Sequence, residues 1–552
     1  MTLRSIAANS PVRRSHWQAL GLTEEDLLKP KIAVVNSSSE LAVCYAHLDG
    51  VAKVVKEAIR AAGGVPFEVR TTAPSDFITG AARRGSYILA GRDLIPNDIE
   101  AQVEAALLDG MVCLTSCDKT PPGHLMAAMR LNIPTLLVIG GYQPAGEIDG
   151  DPVDIEDLFS GGVEESFGIF GKHRVDDIVP QAVRGPGVCQ GMATANTMHC
   201  VVEALGMCVA GSAPVRANSD KMFADARAAG ARIVEMVLQD LKPRDIMTAG
   251  AFHNAAAMVQ GVSGSINAIK HLQATAVEGD LDIDVYALWN EVGAKVPVLS
   301  AVRPNGAVRI EQFEDAGGAR AVLKQLEGLL DCDVTVASGR TMREDLADAA
   351  LVDASIIRPV ADPISPGPAI AVLKGSLAPE SAVVKLGIRD GSRPEEFRGP
   401  ARVFDDTEAV MAALAAGQVA KGSVLVVRGQ GLKSGPAMGG GASRVLFAVN
   451  AAGLAKDVAF VTDGQLSGLC LKGLTVAEVA PEGCSGGPIG KVQDGDIISI
   501  DVAALSIELE VPAAELASRE ASMGLDPAGG WLGMYRRDVD SMTTGAVLID
   551  RG

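Results

Sequence analysis

Three consecutive residues, Cys117-Asp118-Lys119, set a soft thiolate, a hard carboxylate and an amine side by side. Thiolates suit iron–sulfur clusters or zinc and carboxylates suit magnesium or manganese, so the adjacency points to two kinds of metal sharing one pocket. The bland alternative is a core cysteine beside a surface Asp-Lys pair, because a free cysteine is commonly just a small buried residue. Two further cysteines keep unusual polar or glycine-rich company. Cys44 follows the run Asn36-Ser37-Ser38-Ser39-Glu40, and Cys189 lies in Gly185-Pro186-Gly187-Val188-Cys189-Gln190-Gly191. Three thiolates on one iron–sulfur cluster leave an iron short of a protein ligand, open to substrate as a Lewis acid. Each cysteine taken singly is also a packing residue, and only the conjunction is specific.

The elements that must position these residues can be read from the apolar pattern. Gly110 to Thr115 reads as a short buried strand ahead of Cys117, and Pro121-Pro122-Gly123 reads as a turn after it. Cys113, on that strand, is the rival of Cys117 as a ligand, since alternation puts both on one face. Reactive groups at the C-terminal end of such a strand sit where α/β sheets bind ligands. Lys31 to Val35, Val65 to Val69 and Thr135 to Ile139 read as further strands. Helices are expected over Val51 to Ala62, Ile99 to Leu108, His124 to Leu131, Ala193 to Gly206 and Ser219 to Gln239. The alternation predicts a doubly wound, mostly parallel sheet, continuing in that style to about residue 350. Beyond it come Ala369 to Leu373, Ala382 to Leu386, Ser423 to Val427, Val458 to Val461 and Ile497 to Asp501, short strands between Gly, Pro and Asp turns, with a helix over Ala409 to Ala420. The fold class is therefore α/β, with an N-terminal doubly wound domain over 1–369 and a C-terminal β-rich, barrel-like (swivelling) domain over 370–552.

At 552 residues the chain exceeds the usual single core. Its 48% hydrophobic content, 61 glycines and scarce aromatics suit a large α/β enzyme and argue against disorder. A net charge of −19 disfavours nucleic acid and anionic membrane as partners. An acidic protein that handles an acidic substrate must concentrate positive charge or metal locally. No apolar run has transmembrane length, and Met1 to Ser5 opens no secretory signal. The nine cysteines are scattered, odd in number and without a CxxC pair, which predicts a reducing cytoplasm, no disulfide framework and no zinc ribbon.

Several longer motifs then converge. Cys117-Asp118-Lys119-Thr120 with Gly123 and Leu125-Met126-Ala127, and Cys189-Gln190-Gly191-Met192-Ala193-Thr194-Ala195-Asn196-Thr197-Met198, resemble the dihydroxy-acid and sugar-acid dehydratases. Ser263-Gly264-Ser265-Ile266-Asn267, Arg358-Pro359-Val360-Ala361-Asp362-Pro363-Ile364-Ser365, Val461-Thr462-Asp463-Gly464-Gln465-Leu466-Ser467-Gly468 and Gly486-Gly487-Pro488-Ile489 extend the resemblance over nearly the whole chain. What the resemblance implies is concrete. Cys44, Cys117 and Cys189 match the ligands of an iron–sulfur cluster, 2Fe–2S or 4Fe–4S. Asp76, Asp118 and a carbamylated Lys119 match the ligands of Mg²⁺, the carbamate turning an amine into the oxygen ligand a hard cation accepts. Ser467 matches the base that takes the C2 proton. The implied activity is that of a hydro-lyase converting a 2,3-dihydroxy acid to a 2-keto acid, in a homodimer or homotetramer.

The chain also departs from that family. Where its members carry a metal-ligating glutamate, the stretch Gly435-Pro436-Ala437-Met438-Gly439-Gly440-Gly441 has no acid, and there is none from Gly429 to Asn450. Glu40 is a candidate substitute. Gln465 stands where arginine is usual, Val43 where proline is, and Phe77 follows Ser75-Asp76 in place of glycine. These departures lean the expectation towards a sugar acid or similar polyhydroxy acid. The alternatives are the branched-chain dihydroxy acid of amino-acid biosynthesis and a cluster-binding homologue without activity.

Overall fold

β1 (Lys31–Asn36), β2 (Val65–Arg70), β3 (Gly110–Thr115) and β4 (Thr135–Ile139) form a parallel sheet in the spatial order β2-β1-β3-β4. The computed structural model describes residues 3–7, 10–80, 85–391, 393–438, 440–466, 473–521 and 528–548. β1, β3 and β4 are buried at every position. Strands covered on both faces carry continuous apolar runs, which is why these were legible without any alternation. Helices Leu48–Ala61 and Asp220–Gln239 pack on each other and against the sheet. The first turns Val51, Ala52, Val55 and Ile59 inward at helical spacing. Helices Ser86–Ile99, Thr120–Leu131 and Asn267–Glu278 pack together, and the last is buried at every position.

Three expectations need correction here. Pro121, Pro122 and Gly123 do not form a turn: they are the first residues of helix Thr120–Leu131. Proline lacks only an N–H that the first helical turn leaves unpaired anyway, and its fixed φ suits that position. The helix expected over Ile99 to Leu108 instead runs Ser86–Ile99 and ends in a π-helical turn, Glu100–Glu104. The alternation also stops early. Past β4 the described residues hold one short hairpin, Gly146–Ile148 against Asp151–Val153, and then helices and loops, with isolated bridges alone, until Ile370. Helix Ala249–Gly261 shows the cause: it is buried on almost all sides, so its composition is that of a buried strand as much as of a helix.

The second sheet is mixed and has eight strands: β5 (Ile370–Leu373), β6 (Ser381–Lys385), β7 (Glu396–Phe404), β8 (Val424–Val427), β9 (Ala459–Thr462), β10 (Leu474–Ala480), β11 (Ile497–Asp501) and β12 (Ser506–Leu509). Their order is β12-β11-β7-β8-β9-β10-β6-β5, with β7 to β10 mutually parallel. A bridge between Lys374 and Ser506 joins the two ends, so the sheet is a nearly closed barrel. Val424, Val426, Val461 and Val476 face its own core, while Leu425, Val427 and Phe460 face the core shared with the first domain. The expected helix over Ala409 to Ala420 is the shorter Thr407–Ala415, ended by Gly417 in the left-handed region. No helix among the described residues is long and apolar enough to cross a membrane.

Candidate active site

The C-terminal ends of β1, β2 and β3 are neighbours, and each opens into a loop that carries a residue singled out by the sequence. β1 leads to Cys44, β2 to Asp76, and β3 to Cys117-Asp118-Lys119. β4 contributes at one remove. Beyond its end, Val188 donates its N–H to Gly141 O (2.9 Å) and Gln143 donates to Val188 O (2.9 Å), so the Cys189 loop is strung along the same edge. Gly187 permits this approach: its φ is +111°, and a Cβ there would lie 2.6 Å from the Tyr142 carbonyl carbon.

Backbone and hydroxyl contacts tie the loops together. The Ser116 hydroxyl donates to Cys44 O, and Tyr45 OH donates to Pro74 O at 2.6 Å. Asn196, on helix Thr194–Ala204, donates from Nδ2 to both Cys189 O and Gly191 O at 2.8 Å. His199, one turn on, makes a 2.8 Å hydrogen bond from Nε2 to Ser116 O, and burial holds its imidazole down at about 4.

The three cysteines share one buried field. The Cys44 and Cys117 side chains are hydrogen-bonding neighbours, and that contact, with burial and nearby Asp118 and Asp76, holds the Cys117 thiol far above its ordinary range. Cys189 is raised by burial first, then by Asp118 and Cys44. Cys113 is elsewhere: it pairs with Val35 and Leu137 inside the sheet. β3 stops at Thr115, so alternation does not extend to Cys117, and the rivalry between the two ends there.

Lys119 is fully buried, which overturns the reading of a surface Asp-Lys pair. Its Nζ lies 3.5 Å from Asp76 Oδ1 and 3.7 Å from Asp118 Oδ2. Both Lys119 Nζ and Asp76 Oδ1 are buried without a hydrogen-bond partner. Burial, then the Asp118 carboxylate, pushes Asp76 up to about 8. Among the described residues, no group of three or more His, Cys, Asp or Glu side chains is drawn tightly enough to hold a metal as it stands. The buried amine between two carboxylates nevertheless fits a hard cation once it carries an oxygen donor, and the thiols of buried Cys44 and Cys117 with half-buried Cys189 fit a cluster.

In the second domain, buried carboxylates gather main-chain amides. Asp463, just past β9, accepts N–H bonds from Gly429 (3.1 Å), Gln430 (2.9 Å) and Gly483 (3.2 Å), clamping three loops. Ser467 lies outside the described residues. Glu40 is exposed on the loop after β1. The Phe77 ring is exposed and packs on Phe159 (5.2 Å between centroids).

Sequence reasoning missed two buried features. Lys270 Nζ bridges the domains, 2.5 Å from Glu478 Oε1 and 2.6 Å from Asn267 Oδ1. Glu156 is buried against the Cys189 loop and pushed up to about 8 by burial and by Asp154. Lys270 adjoins the quoted Ser263 to Asn267 motif, whereas Glu156 stands in no motif.

The same organisation is found in known proteins. The chain matches the N-terminal domain of dihydroxy-acid/6-phosphogluconate dehydratases over residues 29–345 and their C-terminal domain over 355–546. It is 39% identical to the dihydroxy-acid dehydratase of Caldicellulosiruptor saccharolyticus, with 97% of each chain covered. It is also 39% identical to that of Acetivibrio thermocellus, with the whole of both chains covered, and 38% identical to that of Moorella thermoacetica over 99% of each. Four strand ends delivering thiols, carboxylates and a buried lysine to one edge, in a chain matched end to end, make it a member of the dihydroxy-acid/6-phosphogluconate dehydratase family of hydro-lyases.

Proposed function

We propose that the protein removes water from a 2,3-dihydroxy carboxylic acid to give a 2-keto acid. The observation that carries this is the buried Lys119 Nζ, ion-paired with Asp76 and Asp118 but making no hydrogen bond, near Cys44, Cys117 and Cys189. In this reading Cys44, Cys117 and Cys189 would hold the iron–sulfur cluster, and Asp76, Asp118 and carbamylated Lys119 the Mg²⁺. Bound there, the two groups supply Lewis acidity towards the substrate's carboxylate and hydroxyls.

The chain's own residues do the rest. In this reading Ser467 takes the C2 proton, and the Asp463 clamp fixes the end of β9, four residues ahead of that serine in the chain. The Lys270–Glu478 pair sets the second domain against the helix that follows the Ser263-Gly264-Ser265 turn. A buried ion pair adds little net stability but strongly disfavours any other arrangement that would leave one partner alone.

On the substrate, the relatives named dihydroxy-acid dehydratase support the short branched-chain dihydroxy acid ahead of the sugar acid that the missing glutamate suggested. A cytoplasmic place belongs to the same proposal, supported by eight free cysteines among the described residues; assembly as a homodimer or homotetramer rests on the family resemblance alone. The test is keto-acid release, under anaerobic conditions with Mg²⁺, from a panel of aliphatic dihydroxy acids and aldonates. Turnover is expected with the aliphatic acids foremost. No turnover of any of them, by protein showing an intact cluster spectrum, overturns the reading.

A further inference from the structure

A cavity of about 260 Å³ opens between helix Asp220–Gln239, helix Gly318–Gln325 and the turn over 334–342, with Leu136 of β4 in its lining. At ~30 Å³ of liquid volume per water molecule, that is room for roughly nine waters or an acid of about six carbon atoms. The turn is fixed in place: Val336 donates its N–H to Arg340 O (2.9 Å), and Ala337 donates to Gly206 O (2.8 Å). Buried Leu323, Val336, Met342 and Leu346 make much of the lining apolar.

The charge of the lining is three guanidinium groups, Arg232, Arg320 and Arg340, against two carboxyls, Glu203 and Asp345. Both carboxyls are taken up, Glu203 by the amides of Gly211 (2.7 Å) and Ala213 (2.8 Å), and Asp345 by Arg340 (2.6 Å). Arg232 and Arg320 have only outlying carboxylates. Their side chains are 15% and 23% exposed, whereas their partners Glu235 and Asp348 are 62% and 82% exposed. Ion pairs held that far out in water are worth little, so an anion entering the cavity displaces them at small cost. The two forks are also held ready. Arg232 Nε donates to Ala337 O at 2.7 Å, and Arg320 donates to Asp345 O. A guanidinium keeps its charge across the pH range of a folded protein, and its planar fork matches a carboxylate.

The cavity is joined to the catalytic edge by rigid elements. Helix Thr194–Ala204 presents Glu203 and, just past its end, Gly206 to the cavity. Near its other end, Asn196 holds the carbonyls of Cys189 and Gly191. β4 runs likewise from Leu136 towards Gly141, whose carbonyl takes the Val188 N–H.

We propose that this cavity is an effector site for a small aliphatic monocarboxylate, with its head on Arg232 and Arg320 and its tail among Leu323, Val336, Met342 and Leu346, and that its occupation is felt at the Cys189 loop. The site is separate from the catalytic edge, and its ligand need be neither substrate nor product.

The probe is 4-methylpentanoate, which lacks the 2-hydroxyl or 2-keto group with which a substrate or product chelates a metal. Calorimetry on cluster-loaded protein with Mg²⁺ should show one saturable site per chain. 4-Methylpentanamide keeps the shape without the charge, and propanoate keeps the charge without most of the tail. Each should bind at least about tenfold more weakly. Arg320→Gln should keep the basal kcat and weaken binding of the probe by about tenfold or more, and Arg232→Gln carries the comparison should Arg320→Gln fail to fold. Saturating probe should change the wild-type kcat by about twofold or more, an effect that rising substrate does not abolish and that Arg320→Gln lacks. No saturable binding, equal binding of the amide, or undiminished binding by both variants overturns the inference. So does an unchanged kcat at saturating probe, or an effect that substrate abolishes, and each of these leaves the dehydratase reading standing. If no dihydroxy acid turns over, the dehydratase reading fails and binding alone decides: selective binding that is lost in the arginine variants supports the site, and its absence overturns it.

Discussion

On the first domain's side of the cleft the chemistry is in side chains: Cys44, Asp76, Cys117, Asp118, Lys119 and Cys189, each on a loop at one sheet edge. On the second domain's side, Gly429 to Met438 offers glycine and backbone amides, gathered by two carboxylates, Asp463 on Gly429 and Gln430 and Glu482 on Lys433. The first half crowds buried acids whose neighbours oppose their ionisation, as the raised Asp76 and Cys117 show. The second half's buried carboxylates, Asp463, Glu478 and Glu482, are each taken up by main-chain amides or by Lys270, and its Gly435 backs onto Gly429 O so closely that a Cβ would lie 2.4 Å away. One half is arranged to hold ions, the other to bring main chain close to a ligand. The missing glutamate sharpens this division of labour.

The comparison can be broken in several ways. The largest effect is expected from Cys117→Ser, which should remove both the visible cluster absorbance and turnover, while Cys113→Ser keeps the absorbance. Loss of the absorbance in Cys113→Ser would move the ligand set into the strand. Lys119→Met leaves Asp76 and Asp118 facing each other without their amine, and kcat should fall by about 10³-fold or more with the cluster spectrum in place. Activity within tenfold of wild type would mean that the first half does not depend on that amine.

Ser467→Ala tests the other half. A lost general base costs on the order of 10²–10⁴ in kcat, again with the spectrum unchanged. Full activity would return proton transfer to the first domain. Asp463→Ala removes the acceptor of three buried amides, and chemical denaturation should report about 4 kcal/mol of lost stability.

The smallest effect contrasts that clamp with a similar one in the first domain, where Glu203 accepts N–H bonds from Gly211 (2.7 Å) and Ala213 (2.8 Å). Burial raises Glu203 from 4.5 to about 7 despite these amides. The folded state thus keeps a proton that the unfolded chain releases, so this stabilisation is full below about pH 4.5 and is lost as pH rises through about 7. The wild type should lose roughly 3 kcal/mol across that window relative to Glu203→Gln, seen as a pH-dependent gap between their unfolding midpoints.

Much of the first half was legible because burial on both faces writes itself as unbroken apolar runs, such as Val112-Cys113-Leu114, with the reactive residues immediately after. What could not be read had physical reasons. Pro121 and Pro122 serve equally as a turn and as a helix start, so the helix that carries them looked shorter than it is. Gly91 and Pro96 interrupt the pattern of helix Ser86–Ile99. β7 alternates exposed Arg398 and Arg402 with a proline, which disguises a strand that pairs on both sides. Glu156 owes its place to tertiary packing alone, two residues into a helix with no motif around it. The match to known dehydratases likewise moved the substrate away from the sugar acid that local departures had suggested.

The four strand ends that feed the site also set an order of events in the life of the chain. Their donors are scattered from Cys44 to Cys189, and the loop of the last is hydrogen-bonded to the extension of β4. A nascent chain that has emerged only as far as Lys119 therefore owns most of the donors but cannot bring Cys189 to them. On the proposed reading, loading of a cluster by these donors is a maturation step on an already folded first domain, unlike a zinc finger, in which metal drives the folding.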